Sequence, residues 1–299
     1  MLNGIINIYK EKGFTSHDVV AKMRGICRQK KIGHTGTLDP DATGVLPVCL
    51  GCGTKLCDML TDKDKEYVTE LLLGVTTDTQ DITGQVLTQN AVEVSEDQVK
   101  EAVMSFLGDY MQVPPMYSAL KVNGKKLYEL ARAGKEVERQ ARPVKILDLE
   151  ILEMNLPVVK IRVACSKGTY IRTLCADIGD KLGCGGTMQS LMRTKVGVFE
   201  LGKAVTLAEL EQIRDTVGLE SLLYPVESAF EECPSLHVKP EFQKLLDNGN
   251  AFYPNQTIEK ITHPEGMWVK VYGQDRFYGV FAYDPANRRY KPVKMFFAE

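Results

Sequence analysis

The sequence predicts an α+β protein with a mixed, mainly antiparallel sheet, flanking helices and a small β-rich unit at its C-terminus. Three observations support this fold class. Candidate strands such as VVKIRVACS, residues 158–166, alternate apolar and polar side chains as half-buried antiparallel strands do. Helical patterns with capping residues lie between such strands. After Pro234 the long helical patterns give way to short strands and turns, which predicts a domain at 1–233 and another at 234–299.

The elements of the first domain follow in order from local signals. IINIYK predicts a strand, and Thr15 or Ser16 then caps a helix that begins with HDVVAKMRGIC. EYVTELLLG predicts a strand that ends at Gly74. Capping boxes at 95–98 and 206–209 predict two further helices. GTYIRTLCADIGDKLGCGG predicts another helix, which is stopped by glycines. In the second domain, MWVKVYG, RFYGVFAYD and YKPVKMFF predict three short strands separated by turns.

Composition narrows the class of protein. The chain has 299 residues and 44% apolar content, enough for one large domain or a large and a small one. Its apolar runs, such as VLPVCL, fall far short of the roughly 20 residues that span a bilayer. The start, MLNGIINIYKEKG, lacks the basic and apolar regions of a signal peptide. We therefore expect a cytoplasmic protein with no membrane partner.

The eight cysteines are scattered through apolar segments, which predicts reduced thiols and not a disulfide framework. Cys49 and Cys52 form a C-x-x-C pair and Cys57 lies close by. No second pair or histidine element follows to complete four ligands, so no zinc site is predicted.

Charge is unevenly distributed, although the net charge is only −2. Residues 22–31 carry five basic and no acidic side chains, and residues 121–145 carry eight basic against three acidic ones. Residues 200–234 carry eight acidic and two basic side chains. Each run alone fits a solvated surface, but two basic segments with glycines and Tyr128 favour a surface that follows phosphates.

The most unusual stretch is GHTGTLDPDATGVLP, residues 33–47. Asp39 precedes Pro40 and is therefore biased toward an extended backbone, while the glycines permit sharp turns. Residues 39–44 match the start of a calcium-binding EF-hand loop, but the position that needs a bidentate glutamate is Leu50. The loop has no G-K-[ST] phosphate motif. It also has no G-x-S-x-G, and His34 alone supplies no triad.

What remains is a carboxylate on a rigid turn without metal ligands around it. From the residues alone, an aspartate that only caps a turn stays an open alternative to a catalytic one.

Several long motifs, in one order, resemble the TruB family of tRNA pseudouridine synthases. They are, from the N-terminus, NGIINIYKEKGFTSHDVV, LDPDATGVLPVCLG, KEYVTELLLGVTTDTQDITG, PPMYSALKVNGKKLYELARAG, SKGTYIRTLCADIGDKLGCGG and LMRT. The resemblance implies a pseudouridine synthase catalytic domain that isomerises the T-loop uridine of tRNA, position 55, without a cofactor. The base would be flipped out, detached at nitrogen and rejoined through carbon 5. Whether the carboxylate attacks the anomeric carbon or carbon 6 stays open.

The resemblance also assigns catalytic roles. Asp39, from the G-x-L-D-P motif, would be the nucleophile. Tyr67, from KEY, would stack on the base and move a proton. Arg172, from TYIRT, would pair with the catalytic carboxylate and orient it. Without the resemblance, Tyr67 fits an ordinary strand aromatic and Arg172 a surface arginine.

Further residues match substrate-binding positions of the family. His34 would occupy part of the RNA stack, where flipped bases favour aromatic neighbours. The pocket-lining matches are Asp81, Tyr170 and Leu191. The lysines expected to contact phosphates are Lys10, Lys55, Lys121, Lys125 and Lys126. One departure concerns the first of these, because Glu11 follows Lys10 where the family usually has proline.

Two segments resemble RNA-binding parts of the family. Residues 117–145 resemble an insertion that clamps RNA, and residues 234–299 resemble a β-barrel-like PUA domain expected to contact the acceptor end of tRNA. The implied partner is tRNA, with no obligate protein partner and a monomeric state. Two other functions remain to be weighed, namely a guide-RNA-dependent pseudouridine synthase and a non-catalytic RNA-binding or RNA-folding protein on the same scaffold.

Overall fold

The computed structural model describes residues 1–122 and 124–297. Strands are numbered in chain order: β1 (Gly4–Lys10), β2 (Ile32–His34), β3 (Thr43–Leu50), β4 (Lys65–Leu73), β5 (Val75–Thr77), β6 (Val86–Gln89), β7 (Gly108–Gln112), β8 (Lys121–Val122), β9 (Lys125–Lys126), β10 (Arg142–Asn155), β11 (Val158–Cys165), β12 (Gly186–Val196), β13 (Phe199–Glu200), β14 (Ser235–Val238), β15 (Trp268–Gly273), β16 (Arg276–Asp284) and β17 (Arg289–Met295). The helices are α1 (Ser16–Ile26), α2 (Cys57–Thr61), α3 (Glu96–Met104), α4 (Leu127–Arg132), α5 (Ile171–Lys181), α6 (Leu207–Thr216) and α7 (Gln243–Asp247).

Local capping signals explain where the helices begin. Thr15 is the N-cap of α1, because its Oγ1 accepts a hydrogen bond from Asp18 N at 3.0 Å while the Asp18 carboxylate accepts one from Thr15 N at 2.8 Å. The same reciprocal arrangement begins α3 at residues 95–98 and α6 at residues 206–209. The predicted capping boxes are therefore confirmed, and Thr15, not Ser16, caps the first helix.

The main sheet confirms the predicted mixed, mainly antiparallel topology. Its strand order is β1-β3-β12-β4-β11-β10-β7, with β2 paired to β3 and β13 paired to β12. Only the pairing of β12 with β3 is parallel among these strands. Helices α3 and α5 cover one face, and their apolar residues pack with those of β4 and β11. Helices α1 and α6 cover β1 and β3 in a second core.

The basic segment 117–145 forms a short hairpin, β8–β9, followed by α4. Its last residues, 142–145, are not part of that structure. They begin the long strand β10, which pairs with β7 at the edge of the main sheet. Val144 and the following Ile146 are buried two positions apart, and this alternation explains why the sheet continues into the stretch.

The C-terminal residues form a separate four-stranded sheet in the order β14-β15-β16-β17, with its own apolar core. Residues 234–297 contain no closed barrel, so the β-rich expectation is met by an open sheet. The predicted strands of this unit are all present. The C-terminal unit also contacts the residues that precede it. Its side chains Phe277, Val280 and Phe296 pack with Phe230 and with a third apolar core, which contains Ile5 of β1 and Val45 of β3.

Candidate active site

The loop between β2 and β3 holds Asp39 on a turn fixed from several directions. Ser16 Oγ, at the start of α1, accepts a hydrogen bond from Leu38 N at 2.9 Å. Lys10 Nζ donates to Pro40 O at 3.0 Å, and Ala42 N donates to Asp39 O at 3.1 Å. The side chain of Asp39 is 42% exposed. The turn therefore presents a carboxylate to the outside while its backbone is held from below.

Gly44 shows why this loop is rich in glycine. It has a φ of 104°, and a Cβ atom built there would lie 2.2 Å from the carbonyl oxygen of Arg193. Gly44 faces Arg193 in the parallel pairing of β3 with β12. Any side chain would push these strands apart, so the glycine allows the chain leaving the loop to join the centre of the sheet.

Arg172 lies in the first turn of α5 and faces two carboxylates. It forms an ion pair with Asp39 Oδ2, and its Nη1 lies 3.3 Å from Asp81 Oδ2. Asp81 is itself held by Thr79 Oγ1 at 2.9 Å and by Thr83 N at 3.0 Å. Arg172 is only 8% exposed. The guanidinium thus connects the loop that carries Asp39 with the turn that follows β5, and both carboxylates orient it.

Tyr67 lies on β4 near these groups and is 8% exposed. Burial raises the pKa of its phenol, and the nearby charge and hydrogen bond of Arg193 lower that pKa again. The carboxylate of Asp39 is close enough to raise the pKa of Tyr67 further. The structure therefore brings together the three residues expected to be catalytic.

The expected pocket residues lie on β2, on β12, at the start of α5 and in the turn after β5. His34 is the last residue of β2 and is half-buried. Its Nδ1 accepts a hydrogen bond from Gly36 N at 3.4 Å, and burial lowers the pKa of its imidazole. Tyr170 is the N-cap of α5, and its backbone is held by the Gln112 amide at 2.8 and 3.0 Å. Burial raises the pKa of Tyr170. Leu191 lies on β12 and packs partly against the core that contains Tyr67. Asp81 pairs with Arg172, a contact that sequence reasoning missed.

The lysines expected to contact phosphates occupy different environments. Lys10 is fully buried, and its Nζ donates to Pro40 O and to Glu11 O at 3.1 Å. The ammonium faces the loop that carries Asp39 and not solvent, so a phosphate contact for Lys10 stays a prediction. Lys55 Nζ donates to Met295 O at 3.0 Å, which links it to the C-terminal unit. The side chains of Lys121 and Lys125 are exposed on the β8–β9 hairpin, beside Lys126.

Arg193 is the residue that sequence reasoning did not assign. It lies in the LMRT motif, and its place in a motif that resembles the family is the signal that could have marked it. It is 1% exposed, its guanidinium donates to the backbone at both ends of the loop, and it faces Tyr67 across β12 and β4.

Residues 1–122 and 124–297 contain no group of three or more histidine, cysteine, aspartate or glutamate side chains that could hold a metal ion. The eight cysteines are free thiols. No helix in the described part of the chain is long and apolar enough to cross a membrane.

Comparison with known proteins places this geometry in a family. Residues 24–171 match the TruB family pseudouridylate synthase N-terminal domain, and residues 172–231 match the tRNA pseudouridylate synthase B C-terminal domain. A tRNA pseudouridine synthase B of Lachnoclostridium phytofermentans is 53% identical, over 99% of this chain and 100% of its own length. One of Alkaliphilus oremlandii is 47% identical, over 97% of this chain and 96% of its own. The chain belongs to the TruB family.

Solved structures agree with membership of the TruB family. A chain from an H/ACA RNP bound to a substrate RNA containing 2′-deoxyuridine has a TM-score of 0.75 and 25% identity, over 98% of this chain and 85% of its own length. A chain from an archaeal box H/ACA sRNP complex has a TM-score of 0.74 and 26% identity, over 99% and 86%. The resemblance on which the sequence-based expectations depended is thus confirmed.

Proposed function

We propose that this TruB-family chain is a stand-alone tRNA pseudouridine synthase that isomerises the T-loop uridine at position 55. One observation carries the proposal. A half-exposed carboxylate, Asp39, is ion-paired with a buried arginine, Arg172, on a turn whose backbone is fixed by Ser16 and Lys10. Such a carboxylate is an oriented nucleophile open to a substrate.

The reaction breaks the bond between N1 of the base and C1′ of the ribose, and it forms a bond between C5 and C1′. Carbon 5 loses a proton and N1 gains one, so the products balance without a redox partner or a cofactor. Covalent attack by Asp39, at C1′ or at C6, divides this exchange into two easier steps. The ion pair with Arg172 keeps the attacking oxygen in one position as the base rotates.

A base within a stack lies out of reach of Asp39, so the uridine must be flipped out at a cost of a few kcal/mol. Tyr67, His34 and Tyr170 offer aromatic surfaces for the everted base, and Leu191 offers an apolar one. The neutral state of His34, favoured by the burial that lowers its pKa, suits stacking better than an imidazolium would.

The remaining contacts with tRNA belong to the two RNA-binding segments. The exposed lysines of the 117–145 insertion, Lys121 and Lys125, would contact phosphates of the T stem-loop together with Lys126. The C-terminal sheet, proposed as a PUA domain of residues 234–299, would contact the acceptor end. A tRNA substrate and eight free thiols favour action in the cytoplasm. A stand-alone enzyme would need no obligate protein partner.

Of the alternatives, a guide-RNA-dependent pseudouridine synthase is the most similar to the proposed function. The structures from H/ACA particles are 25–26% identical, whereas the curated relatives named tRNA pseudouridine synthase B are 47–53% identical over nearly their full length. This difference favours the stand-alone enzyme. A non-catalytic scaffold has no need for Asp39, Tyr67 and Arg172 to be gathered in one place.

The test is incubation of the purified chain with an unmodified tRNA transcript, followed by chemical mapping of pseudouridine. We expect product at the T-loop uridine without any added guide RNA. A transcript with cytidine at that position is the control. Product only after a guide RNA is added would favour the H/ACA-like function, and binding without product would favour the non-catalytic one.

A further inference from the structure

Arg193 is the largest fully buried side chain in the part of the chain that the structure describes. Its Nε donates to Val45 O at 2.7 Å, and its Nη2 donates to Gly36 O at 3.4 Å. Among residues 1–122 and 124–297, no carboxylate forms an ion pair with it. Arg172, by contrast, has two carboxylate partners. A buried guanidinium without a counter-charge costs several kcal/mol of desolvation, so stability does not explain it.

The sheet register explains what Arg193 contacts. It pairs with Tyr67 across β12 and β4, and with Gly44 across β12 and β3. Directly opposed residues project from the same face of a sheet, which places the guanidinium beside the phenol. Gly36 lies near the entrance of the 33–47 loop and Val45 at its exit. One side chain therefore ties both ends of the nucleophile loop to the tyrosine.

We propose that Arg193 is a positioning residue for the isomerisation, which fixes the Tyr67 phenol against the nucleophile loop and supports its negative, proton-accepting form. The proposal rests on the proposed function, because it concerns a step of that reaction. Arg193 donates to the loop backbone and faces Tyr67, so it acts through these two groups.

The charges around Tyr67 agree with this role. Burial raises the pKa of its phenol, and so do Cys165 and Asp39. Arg193 opposes them through both its charge and its hydrogen bond. The Tyr67 phenol in turn raises the pKa of Arg193, which burial lowers. An arginine remains protonated under these conditions, so it is the fixed charge and the tyrosine is the group that titrates.

The proton balance identifies the step. Once the C5–C1′ bond has formed, the proton on carbon 5 must leave. A Tyr67 phenolate oxygen takes this proton, N1 takes one from water, and the phenol later returns its proton to water. A positive charge behind the phenol makes the phenolate easier to form, and loss of that charge moves its formation to higher pH.

Three variants test the proposal by single-turnover rates between pH 6 and pH 10 on a tRNA transcript. Arg193→Met removes the charge, and the log-linear rise of the rate with pH should be displaced by about 1–3 units, which is read as a rate about 10- to 1000-fold lower at each pH of this range. Arg193→Lys keeps the charge and should preserve the pH profile, although its rate falls because the forked contact with Gly36 and Val45 is lost. Arg162→Met is the matched control, since Arg162 is a sheet arginine whose partners are Glu66, Asp148 and Glu150, and its profile should not move.

A second readout does not depend on activity. In protein labelled at tyrosine Cζ with carbon-13, the Tyr67 resonance, assigned through Tyr67→Phe, should titrate at higher pH in Arg193→Met than in the unchanged chain. Placing 3-fluorotyrosine, a more acidic phenol, at residue 67 should restore part of the rate lost in Arg193→Met.

The outcomes separate the two hypotheses. An unchanged chain that forms no pseudouridine contradicts the proposed function, whatever the Tyr67 titration shows. An active chain whose pH profile and Tyr67 resonance are the same in Arg193→Met overturns the role of Arg193. If Arg193→Met does not fold, Arg193→Gln decides, because it removes the charge but keeps hydrogen-bond donors: a shifted Tyr67 titration in that variant supports the proposal and an unshifted one overturns it.

Discussion

The loop of residues 33–47, which carries the proposed nucleophile, and the basic segment 117–145 differ in how they are held. Residues 33–47 are tied to β1, α1 and β12 through Lys10, Ser16 and Arg193. In residues 117–139 the hydrogen bonds include Tyr128 N to Ser118 O at 3.1 Å, within the segment, and Arg139 Nη1 to Pro114 O at 3.2 Å, just before it. The difference follows from the tasks proposed for them. A nucleophile must be held within about half an ångström of its target, whereas phosphate contacts depend on charge more than on geometry.

The largest effect should come from the nucleophile itself. Asp39→Asn keeps the shape of the loop but removes the attacking charge, so we expect the single-turnover rate to fall at least about a thousandfold while tRNA binding persists. The control is Asp41→Asn, two residues away, whose exposed carboxylate lies 3.9 Å from Lys12 Nζ. Pseudouridine mapping and filter binding measure both properties. Substantial activity in Asp39→Asn would contradict the nucleophile assignment.

A smaller effect should come from the arginine that bridges two carboxylates. Arg172→Lys loses one of the two directed contacts, and we expect a rate roughly 100-fold lower. Asp81→Asn leaves the pair with Asp39 in place and should cost roughly tenfold. Because these residues share one network, the double variant should be less impaired than the product of the two effects. The control is Asp180→Asn, because that carboxylate is exposed on the same helix. If the effects of Arg172→Lys and Asp81→Asn on the rate were fully additive, the two residues would not act as a unit.

The buried anchor of the loop should be visible in stability against pH. Burial lowers the pKa of Lys10 from 10.5 to about 8. Between those two values the unfolded chain binds the proton more tightly than the folded chain, so the Lys10 contribution to the free energy of unfolding rises with pH. The difference between the unchanged chain and Lys10→Met should grow by up to about 3 kcal/mol from pH 8 to pH 10.5. Denaturant unfolding curves at several pH values measure this difference in the free energy of unfolding. A difference that stays constant with pH would show that burial does not lower the pKa of Lys10.

The smallest effect on chemistry should come from the insertion. The variant with Lys125→Ala and Lys126→Ala should bind tRNA more weakly, with a salt slope lowered by about 1–2, and it should turn over at a nearly unchanged rate once enzyme is saturating. Lys100→Ala is a suitable control, because that lysine pairs with Glu96 and Asp97 on α3. An unchanged salt slope would show that Lys125 and Lys126 do not contact phosphates.

Sequence patterns predicted much of this molecule because they act over short distances. Capping boxes involve residues three apart, and strand alternation depends on neighbours within one segment, so the helix starts at 95–98 and 206–209 and the strand at 158–165 were predictable. The C-terminal boundary of the insertion was not predictable from the sequence, because residues 142–145 form a strand through their pairing with β7.

The amino-acid sequence by itself determined the fold class, the family and the position of Asp39 on a glycine- and proline-rich turn, all of which depend on local order along the chain. Only the tertiary structure decided which charges are buried and which groups they face. Arg172 meets Asp39 across 133 positions of sequence, Arg193 meets Gly36 across 157, and Lys10 turns inward to the loop. Desolvation and pairing depend on distance in space, and that distance is set by how the strands and helices pack.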